Sequence, residues 1–421
     1  MQRFEITGGN RLKGSVEVRG AKNAALPIMA ASILVEGETV LRNVPDLADI
    51  QQMQVLLGRL GVEAERDADG AMRLRVVDEM AVHAPYELVS KMRASVCVMG
   101  PLLAKRRRAQ VSMPGGCAIG DRPIDLHVHG LCGLGAETEL VNGDVQLRAK
   151  KLTGREIFLG GPFGSSVTAT ANVMMAATLA EGRTVIESAA CEPEVVDLAN
   201  YLSACGAQIH GQGTPELTVD GVERLEGAEH RGVAARIEAG TYMIAAAITN
   251  GDVELRGARV EHMRAVVDQL RRVGVIVERA EKGLTVSCAR RLEPVAITTQ
   301  PYPGFPTDLQ AQMMALLCLA DGNSMITEKV FPDRFLHVAE LNRMGARLRK
   351  EGPTVIVQGV KRLVGAPVMA SDLRASAALV LAGLIAKGTT RVHRVYHIDR
   401  GYERIEEKLS RLGANIRRLE G

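Results

Sequence analysis

A six-fold internal repeat constrains the fold of this chain more than any other feature of its sequence. A Leu/Met/Val/Cys-Gly-Ala/Val signature recurs along all 421 residues, and its glycines are Gly61, Gly135, Gly206, Gly274, Gly345 and Gly413. Successive glycines are 68 to 74 residues apart. A period of this length indicates that one structural unit is copied along the chain.

A second glycine precedes five of these signatures, in turns that lead into strand-like segments. These glycines are Gly37, Gly182, Gly251, Gly322 and Gly388. The second copy has the basic run 105–108, Lys-Arg-Arg-Arg, in place of that turn. We interpret the run as the solvated turn of its repeat, with a phosphate or nucleic-acid patch as the alternative.

The pattern within each repeat predicts a βαβαββ unit. Residues 169–179 and 376–385 are rich in small and apolar side chains on all sides, which predicts buried helices that end at a glycine turn. A β-branched strand follows. Residues 194–205 have apolar side chains on one helical face, and the signature glycine Gly206 and another strand come next. Buried helices with sheets outside them predict an inside-out α/β barrel.

Six such repeats predict two domains of three repeats each. The composition changes near residues 227–232, so we place one crossing between domains there. The strands predicted at residues 4–6 and 12–18 complete the other domain. The predicted domains are therefore residues 20–230, which contain Cys117, and residues 1–19 with 231–421. Ligands usually bind in a cleft between such domains, so we predict the active site there.

Composition argues against several classes of function. The formal net charge is +3, aromatic residues make up 3% and Trp is absent, so we expect no nucleic-acid partner. Neither the amino terminus nor the apolar stretch 377–386 predicts a signal peptide or membrane insertion. Seven cysteines without a CxxC pair indicate a reducing, cytoplasmic location. His127 and His129 lack further ligands at metal-binding spacing, so we expect no metal and no cofactor.

Charged or polar residues recur where buried helices are predicted to begin. They are Lys22 with Asn23, Arg93, Asp308, and Asp372 with Arg374. Asp308 and Asp372 could each cap a helix or act as a base toward a hydroxyl. The available positive charge exceeds what caps need and favours a phosphorylated or dianionic ligand. Its sources are Lys22, Arg93, Arg122, Arg374 and Arg400.

The segment 114–123 presents Cys117 among glycine and proline residues. Gly115 and Gly116 allow backbone shapes closed to other residues, which predicts a mobile loop. Arg122 nearby would favour the thiolate form of Cys117. The alternative is a small buried side chain, the commoner state of a free cysteine.

A glycine-rich segment, residues 160–166, precedes the buried helix of the third repeat. No lysine follows its last glycine, so it is not a P-loop. A backbone nest for phosphate at this helix start remains a hypothesis.

Five motifs in combination carry a resemblance that spans nearly the whole chain. They are Lys22-Asn23, the Cys117 loop with residues 122–127, Phe305-Pro306-Thr307-Asp308, residues 372–376, and residues 396–403. Together they resemble the enolpyruvyl transferase family, in particular its UDP-N-acetylglucosamine 1-carboxyvinyltransferases. The resemblance implies transfer of enolpyruvate from phosphoenolpyruvate to the 3′-hydroxyl of UDP-N-acetylglucosamine, with release of phosphate. This is the first committed step of peptidoglycan synthesis.

The resemblance also implies roles for individual residues. Lys22, Arg122 and Arg400 correspond to phosphoenolpyruvate-binding positions, and Lys22 and Arg400 also count as catalytic. Cys117 corresponds to a general acid that protonates the methylene carbon and is the target of fosfomycin-type inhibitors, and Asp308 to a base on the sugar hydroxyl. The further substrate-binding positions are Asn23, Arg93, Pro123, Ile124, Asp125, Leu126, Ser166, Val167, Thr168, Val330, Asp372 and Arg374.

The chain departs from the family pattern near Ser166. Family members often read Ser-Val-Gly-Ala-Thr-Glu-Asn where residues 166–172 read Ser-Val-Thr-Ala-Thr-Ala-Asn, and some have a lysine in place of Gly164. These differences leave open whether Ser166, Val167 and Thr168 contact the UDP diphosphate.

Three alternative functions are less consistent with the sequence. The sister enzyme that acts on shikimate 3-phosphate would show a Ser-Lys-Ser start and an Asn-Ala-Gly-Thr-Ala segment, which are absent here. A non-catalytic nucleotide-sugar sensor would not need Lys22, Cys117, Asp308 and Arg400. A protein-binding scaffold would carry its distinctive charges on an outer face. We expect a cytoplasmic monomer.

Overall fold

The computed structural model describes residues 2–114, 123–288 and 291–420. Cys117 and Arg122 therefore lie outside the described residues. The chain forms two compact units. Unit A comprises the described residues between Gly20 and Val233, and unit B comprises those up to Arg19 and from Ala234 onward.

Strands and helices are numbered in chain order. Unit B begins with β1 (Arg3–Thr7) and β2 (Lys13–Glu17). The strands of unit A are β3 (Val35–Glu36), β4 (Glu38–Arg42), β5 (Val62–Arg66), β6 (Met72–Val76), β7 (His83–Ala84), β8 (Arg108–Ser112), β9 (Glu137–Val141), β10 (Asp144–Arg148), β11 (Glu156–Phe158), β12 (Gly160–Gly161), β13 (Gly164–Ser165), β14 (Arg183–Glu187), β15 (Gln208–His210), β16 (Glu216–Asp220), β17 (Leu225–Glu226) and β18 (Glu229–Arg231). Its helices are α1 (Lys22–Ala31), α2 (Ala48–Arg59), α3 (Tyr86–Val89), α4 (Met99–Arg106), α5 (Asp125–Gly133), α6 (Val167–Ala177) and α7 (Pro193–Ala204).

Unit B continues after the second crossing of the chain. Its remaining strands are β19 (Asp252–Arg256), β20 (Ile276–Ala280), β21 (Gly283–Ser287), β22 (Ala296–Thr298), β23 (Asn323–Thr327), β24 (Arg347–Glu351), β25 (Thr354–Gln358), β26 (Pro367–Met369), β27 (Thr389–His393) and β28 (Asn415–Leu419). Its helices are α8 (Arg236–Ile248), α9 (Arg264–Val273), α10 (Gln310–Leu317), α11 (His337–Arg343), α12 (Leu373–Ile385) and α13 (Ile405–Arg411).

Each unit contains four-stranded sheets of a single topology. The strand orders are β18-β4-β6-β5, β7-β8-β10-β9 and β11-β14-β16-β15 in unit A, and β2-β19-β21-β20, β22-β23-β25-β24 and β26-β27-β1-β28 in unit B. In every one, the first two strands are parallel and the other neighbours are antiparallel. The βαβαββ unit that the sequence predicts is therefore confirmed.

The first two strands of the chain belong to sheets built mainly from its second half. β1 pairs with both β27 and β28, so that Ile6 lies opposite Thr390 and Ile416. β2 runs parallel to β19. Two sheets of unit B are thus completed by β1 and β2, which precede unit A in the sequence.

One helix of each repeat is buried among its neighbours. α8, α10 and α12 pack on one another in unit B, and α6 packs on α1 and α4 in unit A. Small side chains permit this packing. A Cβ at Gly240 of α8 would lie 2.4 Å from a methyl carbon of Leu309, and one at Gly100 of α4 would lie 2.2 Å from the carbonyl oxygen of Asn172. The predicted arrangement of buried helices and outer sheets is confirmed.

The repeated glycines adopt the backbone shape predicted for them. The six signature glycines have φ between 78° and 106°, which is left-handed geometry that glycine tolerates best. At one of the earlier turns the prediction is wrong, because Asn250 takes the left-handed shape, with φ 50°, instead of Gly251. A Cβ at Gly251 would lie 2.4 Å from the carbonyl oxygen of Leu12, so close packing explains that glycine.

The basic run 105–108 is only partly the solvated turn that the sequence predicts. Arg107 and Arg108 are exposed, and Arg107 adopts a left-handed φ of 59° at the end of α4. Arg106 is half-buried and its guanidinium donates to the carbonyl oxygens of Leu60 and Ala81. The prediction is wrong for Arg106, because its guanidinium group links the end of α2 to the segment just before β7.

The predicted helices are present with shifted ends. The helix predicted at 169–179 is α6, that at 376–385 is α12, and that at 194–205 is α7. In the part of the chain that the structure describes, none of the helices is long and apolar enough to cross a membrane.

Candidate active site

Lys22 begins α1 of unit A and is held by a carboxylate from the next helix. Its Nζ lies 2.6 Å from Oδ2 of Asp49, the second residue of α2. The two side chains are 14% and 6% exposed, so water screens this pair less than it would a surface pair. Asn23 beside it is exposed. The start of α1 therefore presents an oriented ammonium group and an accessible amide.

Arg93 fixes the segment that leads into α5. Its Nη2 donates to the carbonyl oxygen of Pro123 at 3.1 Å. Ile124 is buried, whereas Pro123 and Asp125 are exposed. The structure thus brings together two parts of the predicted substrate-binding set that are about thirty residues apart in the sequence.

The glycine-rich segment 160–166 lies against the start of α5. β12 and β13 form a short hairpin within it. A Cβ at Gly161 would lie 3.1 Å from Cδ1 of Leu126, so the leucine packs directly on the hairpin backbone. Leu126 and the predicted phosphate nest are therefore neighbours.

Ser166, Val167 and Thr168 form the start of α6. The Oγ of Ser166 accepts a hydrogen bond from the Ala169 amide at 3.3 Å and caps the helix. Thr168 Oγ1 lies 3.1 Å from Nε2 of His127 on α5. The first amide groups of a helix have no partner within the helix, so this end favours an anion.

Asp308 is the centre of a charged cluster in unit B. It lies in a 3-10 turn, Thr307–Leu309, just before α10. Oδ1 is 2.8 Å from Nη1 of Arg334, and Oδ2 is 2.7 Å from Nη2 of Arg374. The arginine side chains are 8% and 6% exposed, against 26% for Asp308. Among these three side chains, one carboxylate between two guanidinium groups leaves one positive charge, which favours an anionic ligand.

The two arginines determine the protonation state of Asp308. Burial alone would raise the pKa of this carboxyl, but the charges and hydrogen bonds of Arg374 and Arg334 hold it far below its usual range. Burial similarly opposes the charge of Arg374, but Asp308 raises the pKa of that guanidinium above its ordinary value. Asp308 is therefore ionised at neutral pH and is a weak base in this arrangement.

The guanidinium group of Arg374 also contacts a buried tyrosine. Its Nη1 donates to the hydroxyl of Tyr402 at 3.2 Å, and the guanidinium carbon lies 5.6 Å from the centre of that ring. The same hydroxyl is 2.9 Å from Oγ1 of Thr241 and accepts from Nε2 of Gln312 at 3.1 Å. This network fixes the arginine, and through it the orientation of Asp308.

Glu328 connects Val330 to the Asp308 cluster. It is fully buried and accepts hydrogen bonds at 2.6 to 2.9 Å. The donors are the hydroxyls of Thr299 and Thr307 and the amides of Val330 and Phe331. Thr307 in turn accepts from Nη1 of Arg334 at 3.0 Å. A buried carboxylate thus orients both the Val330 backbone and an arginine that pairs with Asp308.

Asp372 is a helix cap, which is one of the alternatives that the sequence leaves open. Its Oδ1 accepts from the amides of Arg374 and Ala375 at 2.8 and 3.1 Å. Asp308 makes arginine pairs instead of capping α10. Arg400 ends a 3-10 turn, Val395–Arg400, that packs on α12. Burial and the charge of Arg400 lower the pKa of His397 while Asp372 raises it, so these charged groups share one region of unit B.

Sequence reasoning missed several residues that organise these groups. Asp49 had a detectable signal, because it stands four residues before Met53 and seven before Leu56, on the apolar face of α2 where a carboxylate is unusual. Arg334 and Glu328 gave no local signal. Their side-chain partners lie 21 to 29 residues away, and only the folded chain brings these side chains together.

The sequence of this chain is similar to that of known proteins over its whole length. Residues 6–409 match the family described as EPSP synthase (3-phosphoshikimate 1-carboxyvinyltransferase). A UDP-N-acetylglucosamine 1-carboxyvinyltransferase of Anaeromyxobacter sp. (strain Fw109-5) is 55% identical and 99% of each chain is covered. One from Methylacidiphilum infernorum (isolate V4) is 52% identical, with 100% of this chain and 99% of that protein covered.

Two solved structures share the fold. The enolpyruvyl transferase NikO from Streptomyces tendae matches with a TM-score of 0.90 and 25% identity, over 100% of this chain and 99% of that one. EPSP synthase from Acinetobacter baumannii matches with a TM-score of 0.76 and 20% identity over 100% of both chains. The second likeness supports the fold alone.

Proposed function

Since this chain belongs to the EPSP synthase family, we propose that it transfers the enolpyruvyl group of phosphoenolpyruvate to the 3′-hydroxyl of UDP-N-acetylglucosamine and releases phosphate. The observation that carries this proposal is the similarity to carboxyvinyltransferases of that specificity at more than half identity over the full length. The matched region spans both units and therefore includes the positions of each cluster described above. The reaction would serve peptidoglycan synthesis in the cytoplasm.

The proposed reaction is an addition followed by an elimination. The sugar oxygen forms a bond to C2 of phosphoenolpyruvate and loses its proton, while C3 gains a proton and becomes a methyl group. The tetrahedral product then loses a proton from C3 and the phosphate from C2, which restores the double bond. No net oxidation or reduction occurs. Carboxylate and phosphate charge surrounds C2 throughout, so positioned cations supply much of the stabilisation.

We assign the phosphoenolpyruvate cations to Lys22, Arg122 and Arg400. Support for Lys22 comes from its pairing with Asp49, which holds the ammonium group in one direction. Support for Arg400 comes from its place on the turn beside α12, near Asp372 and His397. Arg122 lies outside the described residues and is assigned by its motif alone.

We assign the nucleotide sugar to two groups of residues. In unit A they are Asn23, Arg93, Pro123, Ile124, Asp125, Leu126, Ser166, Val167 and Thr168. The hydrogen bond from Arg93 to Pro123 and the contact of Leu126 with the 160–166 hairpin support a shared surface. In unit B they are Asp308, Val330, Asp372 and Arg374, which Glu328 and Arg334 help to position.

Asp308 would accept the proton of the sugar hydroxyl only as the new C–O bond forms. A carboxylate paired with two arginines has too little basicity to deprotonate a free hydroxyl, whose acidity rises only when its oxygen begins to bond. Before that point Asp308 orients the hydroxyl as a hydrogen-bond acceptor. Arg334 and Arg374 stabilise the negative charge that develops during each step.

Cys117 would deliver the proton to C3 and bind fosfomycin-type inhibitors. Three of the described thiols are poor candidates for the inhibitor target, because burial raises the pKa of Cys97 and Cys318 to about 12 and that of Cys205 to about 11. A thiol that stays protonated at neutral pH is a weak nucleophile. We propose that the enzyme works as a monomer and without a cofactor.

Phosphate release tests the function directly. The protein is mixed with phosphoenolpyruvate and either UDP-N-acetylglucosamine or shikimate 3-phosphate, and inorganic phosphate is measured. We expect release with the nucleotide sugar only. Phosphate release with shikimate 3-phosphate but not with the nucleotide sugar would assign the chain to the sister reaction. Binding of UDP-N-acetylglucosamine without release would support the sensor alternative.

A further inference from the structure

The Asn172 side chain of α6 has a single possible orientation. Its Oδ1 accepts from the amide of Gly100 at 2.8 Å, and its Nδ2 donates to the carbonyl oxygen of Val96 at 2.8 Å. Reversing the amide would place donor against donor and acceptor against acceptor. The second hydrogen of Nδ2 then points to Nδ1 of His127, which is 2.7 Å away. Asn172 is fully buried, so this arrangement does not compete with water.

This amide fixes the tautomer of His127. Because Nδ1 must accept a hydrogen bond from Asn172, the ring proton of the neutral imidazole is on Nε2. Nε2 therefore donates to Oγ1 of Thr168 at 3.1 Å. A proton on Nδ1 would face an N–H group at short range. His127 is 2% exposed, so no solvent position is available to relieve that conflict.

The imidazole in turn directs the hydroxyl hydrogen of Thr168. A hydroxyl has one hydrogen and can point it toward any nearby acceptor. With one side of Oγ1 occupied by the His127 donor, the hydrogen of Thr168 points away from α5. Among the residues that the structure describes, no acceptor receives that hydrogen, and Thr168 is partly exposed at the second position of α6.

We propose that His127 is a positioning residue that presets the Thr168 hydroxyl as a donor to a phosphate oxygen of the nucleotide sugar. The inference rests on the proposed function, which supplies the diphosphate. An anionic oxygen can only accept hydrogen bonds, so a hydroxyl that already faces it as a donor loses little freedom on binding. The early amides of α6 favour negative charge at the same place. No proton is transferred through His127.

A purely structural role for His127 is the competing explanation, since α5 packs closely on α6. A Cβ at Gly130 of α5 would lie 2.3 Å from Cγ2 of Val173. That contact is a second point, besides His127, at which the two helices meet. The two explanations therefore differ in what happens when Thr168 no longer has a hydroxyl.

Substitutions of Thr168 test the donor itself. Thr168→Val keeps the shape of the side chain and removes the hydroxyl, and Thr168→Ser keeps the hydroxyl. We expect Thr168→Val to raise KM for UDP-N-acetylglucosamine about tenfold, as for loss of a hydrogen bond to a charged group. Thr168→Ser should raise it by no more than about threefold, because the donor remains. KM for phosphoenolpyruvate is the internal control and should change little.

Substitutions of His127 test whether it acts through Thr168. His127→Gln places an amide nitrogen near the former Nε2, whereas His127→Asn retains a polar partner for Asn172 but is too short to reach Thr168. We expect His127→Asn to raise KM for UDP-N-acetylglucosamine by about three- to tenfold and His127→Gln to recover most of that loss. In a Thr168→Val background, His127→Asn should add no further increase.

The double variant separates the two explanations. An equal additional increase from His127→Asn in the Thr168→Val background would overturn the positioning role, as would an unchanged KM in Thr168→Val. Failure of the proposed function would look different, because the unsubstituted protein would then release no phosphate from the two substrates. Circular dichroism of each variant checks that the fold is retained.

Discussion

The ammonium nitrogen of Lys22 lies 2.6 Å from Oδ2 of Asp49, in a pair that is largely shielded from solvent. Removing the carboxylate charge should release the lysine from its fixed direction. We expect Asp49→Asn to raise KM for phosphoenolpyruvate about tenfold, since roughly 1.5 kcal/mol of a charge-assisted hydrogen bond is lost. Steady-state phosphate release at varied phosphoenolpyruvate measures this. KM for the nucleotide sugar should change less.

Asp46 offers the matched control for that prediction. It lies three residues before Asp49, but its side chain is exposed and accepts from Gln51 at 3.0 Å. Asp46→Asn should therefore leave the phosphoenolpyruvate KM near that of the unsubstituted protein. If Asp49→Asn and Asp46→Asn behave alike, the Lys22–Asp49 pair does not orient a substrate-binding group.

Replacing Asp308 should affect both stability and turnover. Asp308→Asn leaves Arg334 and Arg374, both largely buried, without their shared counter-charge. Breaking a buried ion pair from one side destabilises by about 3 kcal/mol or more, and loss of a proton acceptor lowers kcat by about 10²- to 10⁴-fold. Urea unfolding and phosphate release measure the two effects.

Asp333→Asn is the matched control, because it removes the charge of an exposed carboxylate next to Arg334 in the sequence. It pairs with Lys350 at 3.4 Å and its side chain is 83% exposed. Asp333→Asn should change the free energy of unfolding by less than about 0.5 kcal/mol, as for other surface pairs. Full turnover in a folded Asp308→Asn variant would rule out the proton-accepting role.

Local patterns account for the part of the fold that the sequence predicts. Gly206 and Gly413 end helices in a backbone shape that few other residues tolerate, and α12 is apolar on all sides, so each signal lies within a few neighbouring residues. Such signals predict the repeat and its buried helices. They do not locate Asn250 in place of Gly251, because which residue takes the left-handed shape depends on packing against Leu12.

The site is less predictable than the fold because its geometry depends on distant pairs. Asp308 is recognisable in the sequence, yet its basicity depends on Arg334 and Arg374, which lie 26 and 66 residues away. The sequence equally allows Asp308 to cap a helix, as Asp372 does. Only the folded arrangement distinguishes a cap from an ion-paired carboxylate of low pKa.

The role of Cys117 predicts different turnover, but the same loss of labelling, for two substitutions. Cys117→Ala should abolish turnover and fosfomycin labelling, whereas Cys117→Asp should keep measurable turnover without labelling, because a carboxylic acid can donate a proton but is a poor nucleophile. Intact-protein mass measurement after fosfomycin treatment reports the labelling. Cys191→Ala is the control, because burial raises the pKa of that half-buried thiol, and it should be labelled like the unsubstituted protein. Labelling of Cys117→Asp would identify a different target.

His337 should make unit B sensitive to acid. The side chain is 2% exposed at the start of α11, and its Nε2 has no hydrogen-bond partner among the described residues. Burial lowers the pKa of His337 to about 4, a change that Asp372 opposes and Arg334 reinforces. An unfolded histidine has a pKa near 6.5. Between these values the unfolded chain binds the proton more readily than the folded chain does. The contribution of neutral His337 to the free energy of unfolding is therefore fully present above pH 6.5 and is lost as the pH falls toward 4.

His337→Phe should remove that dependence while keeping a ring in the buried site. Between pH 7.5 and pH 5, the free energy of unfolding should fall by about 2 kcal/mol less in His337→Phe than in the unsubstituted protein. Urea unfolding followed by circular dichroism at both pH values measures the difference. His393→Phe on β27 is the control, because that side chain is only half-buried, and it should retain the original acid sensitivity. The same loss on acidification in His337→Phe as in the unsubstituted protein would show that other groups cause the acid sensitivity.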